Sequence, residues 1–224
     1  MATASESVEA KLLELIRGHL FTSVIGDVMD RKGLRRQFLP PAIRPLSPEM
    51  KLVGRAMPVA EEDCADGQAG DFGLMFRALD ELKPDEVYIC SGASPSYALW
   101  GELMSTRARA LGAAGAVLDG FHRDSRGILN VGLPVFSAGS YAQDQRGRGR
   151  VVDYRCGIAF ANGARVTPGD VIVGDIDGVL VIPHAALEEV VRLAVEKLEG
   201  EEEVRREIER GESTQAIFDR TGIM

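Results

Sequence analysis

No stretch of this chain is apolar and free of charge over the roughly 18 residues that a membrane-crossing helix requires. The opening residues, MATASESVEAKLLELIRGHL, lack a basic segment followed by a long apolar core, so no secretory signal is visible. Cysteine is scarce. Cys64, Cys90 and Cys156 are odd in number and widely spaced, which argues against a disulfide framework and a Cys-x-x-Cys metal site. They predict free thiols in a reducing, cytoplasmic setting. Positive charge is short as well: a formal net charge of -8 argues against a nucleic-acid surface. An anionic substrate remains compatible, because a local Arg and helix N-termini can build a positive pocket on an acidic protein. The short basic run Gln145 to Arg150 (QRGRGR) reads as a mobile turn, and no Gly-Lys-Ser/Thr follows it as in a phosphate-cradling loop. No glycine-rich nucleoside loop follows an N-terminal strand, which leaves methyltransferase chemistry unsupported.

What is present suits one α/β domain spanning 1–224, since 224 residues with 45% hydrophobic content can bury a sizeable core. Residues 1–48 read as N-terminal helices and a proline-rich arm, and 184–224 as a C-terminal helical extension. Leu12, Leu13, Leu15 and Ile16 give an opening helix from near Ser7 an apolar face, and Thr22 to Arg31 reads as a second helix capped by Thr22 or Ser23. The four prolines between Phe38 and Pro48 predict an ordered loop. Met50 to Ala60 reads as a strand that Pro58 would confine to an edge or an end. Glu61-Glu62-Asp63 reads as a solvated loop. Asp71 to Leu82 reads as a helix whose Phe72, Met75, Phe76 and Leu79 stripe faces the core. Val151 to Ile182 reads as an antiparallel meander with a hairpin turn at Asp177-Gly178.

The informative stretch is Val87 to Arg126, read as strand, loop, helix, strand, loop. Val87 to Cys90 and Ala116 to Leu118 are the strands, Trp100 to Leu111 the helix and Gly112 its stop. A strand, a crossover helix and a second strand form a right-handed parallel unit, so the loops after both strands open at one sheet edge. That edge gathers Ser94 to Glu102 and Gly120-Phe121-His122-Arg123-Asp124. Ligands of parallel α/β sheets bind there, and a helix N-terminus favours an anion. Taken alone, Arg123-Asp124 also fits a surface ion pair or a turn, and Glu102 a residue that offsets a helix dipole.

The runs Trp100-Gly101-Glu102-Leu103, Gly112 to Gly120 and Arg123-Asp124 resemble the signature of the RraA-like family, which includes class II 4-hydroxy-4-methyl-2-oxoglutarate/4-carboxy-4-hydroxy-2-oxoadipate aldolases and protein regulators of ribonuclease E. The likeness continues through Gly132 to Phe136, Pro168 to Val179 and Gly211-Glu212-Ser213, and covers most of the chain from Thr22. It implies a mixed sheet with flanking helices, of the swivelling ββα type, in a homotrimer or homohexamer with its site at a subunit boundary. It further implies cleavage of a small 2-oxo acid to pyruvate and a carbonyl product, with oxaloacetate decarboxylation as a side activity. No lysine lies in the central block, so Mg²⁺ or Mn²⁺ rather than a Schiff base is expected to stabilise the pyruvate enolate.

By the same resemblance Asp124 anchors the metal, and Arg123 binds the substrate and stabilises the developing oxyanion. The backbone around Gly101, Leu103 and Met104 receives the pyruvate carboxylate. Glu102 orients a water for proton exchange; some family aldolases carry Asp there. Glu199 is a candidate contributed by a neighbouring subunit. Asp27 matches an acid of the family's early helix, and a cap or ion pair is its expected role. The alternative reading is a regulator of ribonuclease E without chemistry. The family's regulators lack the acid matching Asp124, so its presence favours the enzyme.

Overall fold

The protein is described by a computed structural model, which covers residues 4–64 and 72–223. Two helices open it, α1 (Ala4–His19) and α2 (Thr22–Arg31), followed by a two-residue strand β1 (Arg44–Pro45) and the long β2 (Leu52–Asp63). Next come α3 (Met75–Asp80), β3 (Glu86–Ser91), β4 (Ala98–Trp100), α4 (Glu102–Ala110), β5 (Gly115–Leu118) and β6 (Phe121–His122). The chain continues through α5 (Ser125–Val131), β7 (Val135–Ser137), β8 (Gly149–Tyr154), β9 (Ile158–Ala159) and β10 (Arg165–Val166). It ends with the hairpin β11 (Val171–Asp175) and β12 (Gly178–Ile182), then α6 (Leu187–Glu209) and α7 (Thr214–Thr221).

The main sheet runs β1-β7-β5-β3-β2-β11-β12, with β8 also paired to β2. β2, β3, β5 and β7 are parallel neighbours, and β1, β8, β11 and β12 add antiparallel pairings. Because side chains alternate across a strand, Val87, Ile89 and Val117 enter one core with Phe136, Ile172 and Val181, while Tyr88, Cys90 and Leu118 face α3, α4 and α5. The sheet curls far enough for Arg44 on β1 to donate to the Asp177 carbonyl in the β11–β12 turn. A Cβ on Gly174 would lie 2.9 Å from the Phe136 ring, so that close approach requires glycine. A third core seals α1, α2 and α6 onto β11 and β12 through Leu13, Ile16, Ile25, Leu180, Ile182 and Val191. Each fully buried aliphatic side chain contributes roughly 1.5–3 kcal/mol of transfer free energy.

Several expectations need correction. β2 is a central strand despite Pro58. Arg55 N–H bonds toward the β3 side and Ala56 N–H toward the Asp170 carbonyl on the other, so the nitrogen of Pro58 points away from β3. On that side β11 pairs with Leu52 to Arg55 and β8 with Val59 to Asp63, and the missing donor falls in the handover between them. The same extension carries Glu61, Glu62 and Asp63 into the sheet rather than into a solvated loop: Glu61 is buried, and Glu62 takes two hydrogen bonds from Arg150. Within Gln145 to Arg150 the turn is confined to residues 146–148, since Gln145 is buried and residues 149–150 begin β8. The proline-rich arm contributes β1. Trp100 ends β4 rather than starting the helix, because the loop after β3 forms its own parallel ladder with β6.

Neither Thr22 nor Ser23 caps α2. Its N-cap is Phe21, while Thr22 gives its N–H and hydroxyl to the Asp175 carboxylate at 2.8 Å each. In place of a continuous meander, residues 158–182 form two separate hairpins, β9–β10 and β11–β12, while β8 pairs with β2 and, through Val151, bridges to Gly73. The hairpin turn lies at Ile176-Asp177, one residue before the expected Asp177-Gly178, because Gly178 already pairs with Asp175; the Asp177 N–H bonds Asp175 Oδ1 at 2.9 Å. Asp27 is an ion-pair residue, 3.1 Å from the largely buried Lys197 on α6. The helix expected from Asp71 starts at Met75, and Asp71 itself lies outside the described residues. Among the described residues no helix is long and apolar enough to cross a membrane.

Candidate functional site

β3 and β5 end side by side, at Ser91 and Leu118, and the loops that leave them build a small second sheet above the main one. In it Ala98 of β4 pairs with Phe121 of β6 and Trp100 with His122. The Arg123 N–H bonds the Trp100 carbonyl at 2.9 Å, which sets Arg123 and Asp124 against the start of α4. His122 secures this seam from inside. It is buried, with Nδ1 2.7 Å from the Ser137 hydroxyl and Nε2 2.9 Å from the Ser125 hydroxyl, and burial lowers its pKa. A neutral imidazole suits those two partners.

Asp124 has φ 59° and ψ 37°, in the left-handed region, at the N-cap position of α5. That conformation is uncommon for non-glycine residues, although Asp tolerates it better than most. It turns the carboxylate toward Gly101, where a Cβ would stand 2.7 Å from Asp124 Oδ2. Glycine at 101 thus holds open the space the carboxylate occupies. Arg123 stands between two acids, its Nε 3.7 Å from Asp124 Oδ2 and its Nη1 3.4 Å from Asp144 Oδ1. Both contacts are long and the side chain is about 38% exposed, so most of its five N–H donors remain available to a ligand.

α4 opens without a side-chain cap, and Gly101 supplies none. The N–H groups of Leu103 and Met104 therefore face outward without helical partners. These groups share a cleft of about 220 Å³ with Phe72, Met75, Phe76, Trp100, Asp144 and Gln145. Of the apolar stripe assigned to the core, Phe72, Met75 and Phe76 accordingly line the cleft; Met75 and Leu79 are buried, and Phe76 is exposed. A helix as short as α3, beside a cleft, leaves one flank without a covering layer.

Glu102 is exposed and lies outside the cleft lining; its carboxylate covers Gly127 on α5, where a Cβ would come within 2.2 Å of Oε2. Glu199 is exposed on α6, which packs against α1, α2 and α7 rather than against the cleft of its own chain. Sequence reasoning missed Asp144 and Gln145. Neither sits in a periodic run or a recognisable motif, and both reach the cleft only because residues 143–145 lie along β4.

Behind Gln145 lies a buried carboxyl. Glu61 Oε2 accepts from Gln145 Nε2 at 2.7 Å, whereas Oε1 and the neighbouring Tyr88 hydroxyl have no hydrogen-bond partner among the described residues. Burial raises the pKa of Glu61 from 4.5 to about 7, and the Gln145 bond offsets only part of that rise.

A metal can be tested against these groups. Among the described residues no three His, Cys, Asp or Glu side chains cluster as a protein cage. Asp124 is nevertheless a carboxylate held in an open, partly exposed position. Mg²⁺ commonly binds through one or two carboxylates while keeping several waters, so the site fits such an ion and not a fully protein-ligated one.

The RraA-like (Aldolase/RraA) family profile matches residues 22–181. A Halalkalibacterium halodurans protein, provisionally named a 4-hydroxy-4-methyl-2-oxoglutarate aldolase, is 33% identical over 191 residues, covering 84% of each chain. Protein DlpA of Legionella pneumophila is 30% identical over 193 residues; the match covers 84% of this chain and 30% of DlpA. In structure, the chain is similar to the Streptomyces coelicolor protein RraAS2, an unusual member of the RNase ES inhibitor RraA protein family. That comparison gives a TM-score of 0.76 at 24% identity over 87% of this chain and 96% of the other, a likeness of fold.

Proposed function

This chain belongs to the RraA-like family, and from that premise we propose that it is a divalent-metal-dependent lyase cleaving a 4-hydroxy-2-oxo acid to pyruvate and a carbonyl compound. The observation that carries this reading is the Asp124 carboxylate, held in a left-handed turn beside Gly101 and next to a guanidinium with free donors. A purely structural turn would not require a glycine across from it to make room for the carboxylate.

Cleavage breaks the bond between C3 and C4, turns the C4 hydroxyl into a carbonyl and leaves an electron pair on what becomes the pyruvate methyl carbon. Mg²⁺ or Mn²⁺, held through Asp124, supplies when bound the positive charge that stabilises those electrons. The chain's own groups do the rest. The Leu103 and Met104 N–H groups, with Gly101 keeping the approach open, receive the C1 carboxylate at the positive end of α4. Arg123 donates to the substrate oxygens on which negative charge develops, where preorganised donors act most strongly. Glu102 lies over Gly127, outside the cleft lining, so the proton it would exchange has to pass through water. Among the described residues no lysine lines the cleft, so a Schiff base has no candidate. Oxaloacetate presents the same 2-oxo acid head, and its decarboxylation is expected as a side activity.

Pyruvate release from a panel of 4-hydroxy-2-oxo acids, measured by a coupled dehydrogenase, tests the reading. Release with Mg²⁺ or Mn²⁺ and its loss in EDTA is expected. Full activity in EDTA, with substrate trapped by borohydride, would overturn it. No release from any acid, together with binding to a ribonuclease, would favour a regulator instead.

A further inference from the structure

Glu61 is a carboxyl at a position where the pattern of β2 asks for a hydrocarbon. The ladder with β8 passes from Ala60–Asp153 to Glu61–Val151 and skips Val152 on β8, so β2 itself keeps its alternation. Glu61 therefore follows Met57 and Val59 onto the face that shares one apolar core with Tyr88, Cys90 and Val151. Burying a carboxyl there is costly unless it is hydrogen-bonded. Its one side-chain bond among the described residues comes from Gln145, which lines the cleft. Both residues are buried within one chain, 5% and 2% exposed, so their pairing does not wait on a neighbouring subunit.

The backbone of Gln145 is fixed. Its carbonyl accepts from the Arg148 and Gly149 N–H groups at 2.8 and 3.1 Å, and the Gln143 carbonyl accepts from the Ala98 N–H on β4 at 2.8 Å. What remains open is which end of the side-chain amide meets Glu61. An ionised carboxylate only accepts, so it admits the NH₂ end alone; a neutral carboxyl donates as well as accepts and tolerates both ends. Burial raises the Glu61 pKa to about 7, so both forms are accessible near neutral pH. The other ionisable groups packed around it do not compete. Burial pushes the Tyr88 and Cys90 side chains on β3, and Tyr97 before β4, above their ordinary values. Arg150 pairs with Glu62, Asp63 accepts from Tyr97, and Asp144 faces Arg123.

We propose that ionised Glu61 is a positioning residue: it holds the Gln145 amide with the nitrogen inward and the oxygen toward the cleft, as the acceptor for the C4 hydroxyl of the substrate. The chemistry of the ligand makes the match. In a 4-hydroxy-2-oxo acid the carboxylate and keto oxygens only accept, and the C4 hydroxyl is the group that donates. An amide turned the other way offers N–H groups, which suit the carboxylate and keto oxygens instead. Gln145 binds and orients this hydroxyl and takes no proton from it. The proposal rests on the lyase reading for the identity of the hydroxyl, whereas the orientation of the amide does not.

The test uses the full chain with Mg²⁺ and two ligands without a 2-oxo group, which a retro-aldol step cannot cleave. 2,4-Dihydroxybutanoate and 2-hydroxybutanoate share a head and differ only in the C4 hydroxyl, so the ratio of their affinities cancels the head. Calorimetry at pH 6 and pH 8 measures that ratio, with melting temperatures taken on the same samples. In wild type the hydroxyl should tighten binding by about two- to tenfold at pH 8, the range of one neutral hydrogen bond, and by less at pH 6. In Glu61→Gln, whose neutral amide dictates neither orientation, the ratio should be smaller at pH 8 and unchanged at pH 6. Gln145→Leu should abolish the advantage at both. A purely structural Glu61 would move the melting temperature and leave the ratio and its pH dependence as in wild type, which would overturn the proposal. Binding of neither ligand, no advantage in wild type at pH 8, or an advantage kept in Gln145→Leu would also overturn it. If the ratios behave as expected while no 4-hydroxy-2-oxo acid releases pyruvate, the lyase reading fails and the positioning of Gln145 stands.

Discussion

Asp124 combines an uncommon backbone conformation with an exposed carboxylate, and the two features make separable predictions. A residue outside the packed cores contributes little packing energy, so Asp124→Ala should lose nearly all turnover while stability falls only modestly, by the cost of holding Ala in the left-handed region. Asp124→Gly goes further: glycine adopts the left-handed region freely, so stability should stay within about 1 kcal/mol of wild type or rise while activity disappears. Calorimetric melting beside a pyruvate assay checks both, and a large loss of stability in the glycine variant would show that the carboxylate is structural. For Arg123→Lys, a compact ammonium cannot reproduce a planar fork, so kcat/KM should fall by about a hundred- to a thousandfold, or roughly 2.7–4 kcal/mol. Near-normal kcat/KM would remove Arg123 from the chemistry. Gly101→Ala should be comparably damaging, because the added Cβ would stand 2.7 Å from Asp124 Oδ2. Its melting temperature should hardly move.

At the scale of the element, β2 joins the site to the sheet through Glu61. Its pKa is raised by burial to about 7, so between about 4.5 and 7 the folded state binds more protons than the unfolded state. Stability therefore falls as pH rises through that window and levels off above it. The full effect of such a shift is roughly 3 kcal/mol. Denaturant unfolding at pH 5 and pH 8 should show this decline in wild type and a weaker one in Glu61→Gln, which stays neutral. Identical pH dependence in the two proteins would contradict it.

β2 also shows where the sequence misleads. Local rules place Pro58 on an edge and three successive acids in solvent, and both rules yield to a sheet that changes partners halfway along the strand. The parallel β3-α4-β5 unit was legible because its strands are short apolar runs separated by a helix of ordinary length. The meeting of Arg123 and Asp124 with the start of α4 at one edge follows from that unit alone. Asp144, Gln145, Glu61 and the supporting bonds of His122 were not legible, because each depends on contacts between segments distant in sequence.

For the whole molecule, the curled sheet and its flanking helices agree with the α/β architecture that the family resemblance implies. Assembly is a proposal. Leu103 and Phe76 line the cleft and stand exposed, and Glu199 on α6 is exposed and does not line its own chain's cleft. A homotrimer or homohexamer would let a neighbour's Glu199 complete the site, and light scattering should return three or six times the 24.2 kDa chain mass. A monomer at micromolar concentration would exclude that arrangement and leave Glu199 without a role.

The central claim is that Asp124 makes this cleft a metal-dependent lyase site. The most direct measurement is Mn²⁺ binding followed by electron paramagnetic resonance, run beside pyruvate release on the same samples of wild type and Asp124→Ala. The account predicts that wild type binds Mn²⁺ and releases pyruvate, and that the variant, folded and with a melting temperature only modestly lowered, does neither. Mn²⁺ binding and pyruvate release that survive in Asp124→Ala would contradict it.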